Sequence, residues 1–258
     1  MADRGCAGRL ISALLLFVLA VALSTAVHAD ELTRHVLGTK PICRTHHQPV
    51  LIISDLTVTG EIDDSITLYI YRQLELLGCI RVLGVVSIFG NGGSGTAAIH
   101  RNLAARLPLL GGSHWPLLHG PDERLTTVLN RRKETVEDHE RLSAIAAVIT
   151  DAGQPVVIAE LGPATVSARL LSAGYVQPIR IAKILAVGGR MSGESFTTNK
   201  RLGRLFSFRD MNVAEDVWAM DYLVHYHFRK LWLVTYRSGL GKRMVTASMI
   251  AGALPALT

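Results

Sequence analysis

Five short apolar runs, separated by stretches with helical spacing, constrain this chain more than any other feature. They are Pro49–Ser54, Ile80–Ile88, Pro155–Ala159, Ile179–Val187 and Leu231–Thr235. Each is too short for a helix and carries no polar face, which is the pattern of strands buried on both sides. Between them, Ile66, Ile70, Leu74 and Leu77 recur at helical spacing, and residues 134–149 and 213–227 behave in the same way. The alternation predicts an α/β fold, a mostly parallel central sheet with helices on both faces. About half of the 258 residues are apolar, enough for one sizeable core.

In such sheets ligands bind beyond the carboxyl ends of the strands. That rule selects residues 55–62, 89–95, 160–164 and 188–210. Glycines in these loops let backbone approach a ligand, but tight turns need glycine in any fold of this class, and no complete phosphate-loop or dinucleotide signature is present. The acidic stretch "DLTVTGEIDD" is more specific. It places Asp55, Glu61, Asp63 and Asp64 where the first strand gives way to a helix. Hard oxygens converging there suit calcium or magnesium, with a carboxylate beside them to take a proton from water. Acidic residues also cap helix starts, and the residues alone leave both readings open.

The amino terminus is expected to be a signal peptide. Arg4 and Arg9 precede the apolar run Leu14–Leu23, and Val27-His28-Ala29 supplies small residues for cleavage after residue 29. Residues 30–49 then form a leader, and 50–258 the folded domain. The protein is expected to be exported, periplasmic or secreted, with no stable membrane span after cleavage. An uncleaved membrane anchor is the alternative, because residues 11–27 are nearly free of charge. In an oxidising compartment Cys43 and Cys79 are able to pair, and the sequence leaves open whether they do. The formal charge of +6 comes from scattered basic residues and from Arg131-Arg132-Lys133 and Lys200–Arg209, without the aromatic interleaving of a single-strand binding surface, so no nucleic-acid partner is expected.

"DLTVTGEIDDSITL" at Asp55–Leu68 resembles the amino-terminal signature of the inosine-uridine-preferring nucleoside hydrolases. Further segments match in order: "GN" at Gly90-Asn91, "GGSHWPL" at Gly111–Leu117, "LGPATV" at Leu161–Val166, "VGGR" at Val187–Arg190 and "FRDMNVAEDVWA" at Phe208–Ala219. The resemblance covers the chain from about Val50 onward. It implies a Rossmann-like nucleoside hydrolase fold and hydrolysis of the N-glycosidic bond of a ribonucleoside, assisted by one calcium ion (Ca2+). It implies that Asp63 is the base that activates water and that Asp64, Asp55 and the main-chain carbonyl of Leu161 are calcium ligands. Asn91, Asp210 and Asn212 resemble the residues that hold ribose hydroxyls. Each also has a structural reading: Asn91 as a turn residue beside Gly90, Asp210 to Asn212 as the cap of the next helix.

The sequence departs from the family pattern in three places. Thr57 stands where a second aspartate is expected, which removes a charged ligand. Val166 replaces an asparagine. No aspartate follows Asp221, whereas the family has a further ligand and a histidine there, so the chain is expected to be carboxyl-terminally incomplete against that pattern. A catalytically silent nucleoside- or sugar-binding protein and a domain without a small ligand are therefore the alternative readings. The preferred nucleobase and whether the chain forms a homo-oligomer are not legible in the sequence.

Overall fold

The computed structural model describes residues 47–57, 63–90, 93–131, 134–189 and 209–235. All of them fall in one compact unit, Cys43–Gly241. The expected signal peptide, Cys43, Glu61 and Asn91 lie outside the described residues.

Six parallel strands form the sheet: β1 (Gln48–Ser54), β2 (Ile80–Ser87), β3 (Leu117–His119), β4 (Val156–Glu160), β5 (Ile181–Val187) and β6 (Leu231–Val234), in the order β3-β2-β1-β4-β5-β6. The five expected strands are all present within two residues of their predicted starts. β3 is not among them, because three residues between Pro116 and Gly120 carry too little pattern to read. Ile179 and Arg180, expected to begin β5, lie instead in a 3-10 turn, Pro178–Arg180, with proline fixing its first residue.

The helices are α1 (Asp63–Leu76), α2 (Thr96–Arg106), α3 (Leu125–Arg131), α4 (Val136–Asp151), α5 (Thr165–Ser172), α6 (Met211–Glu215) and α7 (Val217–His227). The continuous helix expected over 213–227 is broken at Asp216, whose backbone leaves helical geometry at φ −148°, ψ 77°. Its side chain accepts from Ala219 N and starts α7 afresh, the usual action of an aspartate N-cap.

Successive residues of a strand face opposite sides of its sheet. Leu51 and Ile53 of β1 join a core with Leu142, Ile145 and Ile149 of α4, Leu170 of α5 and Leu223 of α7. Ile52 faces the other side, and α1 and α2 bury Leu68, Ile99 and Leu103. Helices thus cover both faces, and the chain reverses its direction of progress across the sheet between β1 and β4. Cys79, just before β2, is disulfide-bonded; its partner lies outside the described residues. Among the described residues no helix is long and apolar enough to cross a membrane.

Candidate active site

Between β1 and β4 the connections leave in opposite directions, the position in an open parallel sheet where a ligand crevice is expected beyond the carboxyl ends. The two strand ends are in register, Ile53 beside Glu160, and Leu161 N donates to Ile53 O at 2.8 Å. The next residue after β1 is Asp55, 4% exposed. Its carboxylate lies against two loop backbones. A Cβ on Gly162 would sit 2.9 Å from Asp55 Oδ1, and one on Gly90 would overlap Oδ2. Only glycine fits at either position, which explains in physical terms why both loops carry it.

Asp64 reaches the same strand end from α1. Ser54 Oγ donates to Asp64 Oδ2 at 2.5 Å and accepts from Leu56 N at 3.2 Å. Asp64 is 8% exposed, whereas its neighbour Asp63 is exposed in the first turn of α1. The adjacent carboxylates therefore divide, one held against the strand end and one open to solvent.

Across the crevice, Asn212 Nδ2 donates to Leu161 O at 2.6 Å and to Val187 O at 3.0 Å. The amide spans the ends of β4 and β5. Asp210 accepts from Gly189 N at 2.5 Å through Oδ2 and from Val213 N at 3.2 Å through Oδ1, so it caps α6 and fixes the loop after β5. Of the expected site residues, Asn212 is bonded to Leu161, while Asp64 bonds the Ser54 hydroxyl and Asp55 follows Ser54 at the same strand end, its carboxylate against Gly90 and Gly162. Among the described residues no three histidine, cysteine or acidic side chains gather in a group that could hold a metal ion.

Two acidic residues that hold the crevice together are not singled out by the sequence. Glu160, the last residue of β4, is fully buried, and its Oε1 accepts from Ser167 N at 3.0 Å. Burial pushes its carboxyl up to about 7, although the Ser167 hydrogen bond opposes this. It caps α5 from a neighbouring element, because Ala164 at the N-cap has no side chain to do so. A glutamate ending an apolar strand, with serine seven residues on, is the only signal the sequence offers. Asp216 accepts from Leu125 N at 2.8 Å and Thr165 Oγ1 at 2.7 Å as well as from Ala219 N. One carboxylate therefore ties the starts of α3, α5 and α7.

Next to Gly90 a cavity of about 250 Å³ is lined by Phe89, Ser94, Glu123, Arg124, Thr127 and Glu215. The Arg124 guanidinium lies 5.6 Å from the centre of the Phe89 ring and pairs with Glu215 at 2.5 Å. His114 and Trp115 both bind Glu75 at the end of α1, at 2.9 and 2.8 Å.

No family model and no curated protein matches the chain. Solved structures do. The type III effector XopQ, complexed with adenosine diphosphate ribose, shares 19% identity at a TM-score of 0.52, over 82% of this chain and 60% of its own. The plant nucleoside hydrolase PpNRh1 shares 17% at 0.52, over 74% and 61%. The inosine-uridine-preferring nucleoside hydrolase from Bacillus anthracis shares 15% at 0.50, over 74% and 65%. The chain thus spans less than two thirds of the length of these three proteins, and it has the Rossmann-like nucleoside hydrolase fold.

Proposed function

We propose that the chain is a divergent nucleoside hydrolase whose crevice between β1 and β4 cleaves the N-glycosidic bond of ribonucleosides, giving free base and ribose. The observation that carries this reading is the buried Asp55 carboxylate, packed on the backbone of Gly90 and Gly162 beside the Ser54–Asp64 pair. Carboxylates at that point are suited to a ribosyl transition state, in which positive charge develops on the sugar as the base departs.

The donors present are two buried carboxylates and a main-chain carbonyl, hard oxygens of the kind calcium selects. Asp55, Asp64 and Leu161 O would hold the ion. When bound, calcium would supply positive charge that eases loss of a proton from water. Asp63, open to solvent at the start of α1, would serve as the base toward water. Asn212, bonded to Leu161 O, keeps the carbonyl in place, and Asp210 steadies the loop after β5.

Mature protein incubated with purine and pyrimidine nucleosides, with and without calcium, tests this directly. Wild type is expected to release base only with calcium, and Asp63→Asn to lower the rate by about 100-fold or more. Equal release by both would remove Asp63 from the role. The second reading is a silent nucleoside- or sugar-binding protein, motivated by the retained Asn91, Asp210 and Asn212 alongside Thr57, which stands where a charged ligand is expected. Calorimetric binding without base release, indifferent to a chelator, supports it.

A further inference from the structure

His100 of α2 and His119, the last residue of β3, stack face to face, with ring centroids 3.5 Å apart and planes 10° from parallel. Nothing in the crevice uses them. β3 is three residues long and pairs only with β2 in the sheet order, so it contributes few ladder hydrogen bonds and depends on side chains to stay in place. Ser87 Oγ of β2 donates to Leu118 O and lies 3.3 Å from His100 Nδ1. The hydroxyl and the Leu118 carbonyl thus both lie against the His100 ring, and a hydroxyl that gives its proton to the carbonyl is able to accept from Nδ1–H.

We propose that this stack is an acid-sensitive latch: neutral rings fasten the end of β3 and the loop 120–124 to α2, and protonation releases them. The loop matters because Glu123 and Arg124 line the cavity beside Gly90. Two imidazolium rings at stacking distance repel each other, whereas neutral rings pack as flat apolar surfaces.

The charged groups around the pair reinforce the effect. From α4, Arg141 acts on both rings and is itself held by Asp122 at 2.5 Å and by Asp138 at 3.6 Å. From the loop, Asp122 works the other way on His119, and the Leu118 carbonyl does so on His100. Partial desolvation comes first among the causes, at the exposed His119 confined to the ring face stacked on His100, and with Arg141 it holds both rings below the usual histidine range; His119 adds to this at His100. A depressed histidine stabilises the closed form above the ordinary histidine range, and that contribution is lost as pH falls through it.

Amide hydrogen exchange across residues 117–124 of the mature protein tests the latch. Rates corrected for intrinsic pH dependence would be compared at about pH 7.5 and about pH 5.5, either side of the ordinary histidine range. Wild type is expected to exchange several-fold faster in this segment at the lower pH, with β1 unchanged. His119→Phe keeps a flat ring that cannot charge, and is expected to stay protected at both pH values. His119→Gln keeps neither, and should exchange quickly at both. His119 is exposed, so neither substitution disturbs the core. An equal acid response in wild type and His119→Phe, or no response in wild type, would overturn the proposal.

Discussion

The side-chain amide of Asn212 donates to the carbonyl oxygen of Leu161 at 2.6 Å, across 51 residues of sequence. Its second proton goes to Val187 O, so a single residue closes the ends of β4 and β5 together. Asn212→Ala leaves both carbonyls without this donor. It is expected to lower stability by about 2 kcal/mol and, at the proposed calcium site, to weaken binding through the loosened Leu161 carbonyl. Urea unfolding and calcium titration of the two proteins check this. Unchanged stability would show that water replaces the amide without loss.

Gly162→Ala should act through space rather than through backbone conformation. The added carbon would meet Asp55 Oδ1 at 2.9 Å, and either the loop or the carboxylate must move, at a cost of roughly 1–3 kcal/mol. Since the displaced group is a proposed ligand, base release should fall further than thermal stability does. A variant with wild-type melting and wild-type release would contradict the close approach.

Asp216→Ala removes three hydrogen bonds at once from a residue 2% exposed. The amides of Leu125 and Ala219 and the hydroxyl of Thr165 lose their shared acceptor, and a loss of about 3 kcal/mol or more is expected. Because it joins the starts of three helices, proteolysis should cut the variant near residues 125 and 216 under conditions where wild type is intact. Resistance equal to wild type would count against the tie.

Glu160 makes stability depend on pH with a definite sign. Its folded pKa is raised to about 7, above the unfolded glutamate value of about 4.3. The stability it contributes is therefore present below the unfolded value and is lost as pH rises through about 7. Glu160→Gln should flatten this slope and stand above wild type near pH 8 by roughly 3–4 kcal/mol. The histidine stack has the opposite slope, so the comparison is the difference between wild type and variant in urea melts across that range. Parallel curves would mean that Glu160 does not titrate between those limits.

Much of the architecture is legible in the residues alone. The runs that form β1, β2, β4 and β5 are mostly apolar because helices cover both faces of the sheet there, and burial of that kind leaves a mark in the side chains themselves; β6 is read from the same pattern although Trp232, Leu233 and Val234 are exposed. The acidic stretch after β1 is legible for a similar local reason: four carboxylates within ten positions are unusual whatever surrounds them.

What the sequence determined by itself was therefore the alternation of elements and the chemical types at their junctions, which depend on neighbours a few residues away. Only the tertiary structure decided which junctions meet. Asp216 looks like part of a continuous helix until Leu125 N and Thr165 Oγ1 converge on it. Glu160 looks like the end of a strand until the uncapped start of α5 turns toward it. Asn212, expected to face a sugar, bonds instead to the two strand ends that the fold sets beside it. The physical reason is the same in each case. A buried polar group must find a partner, the partner is supplied by whichever element the sheet order brings close, and that order is a property of the whole chain.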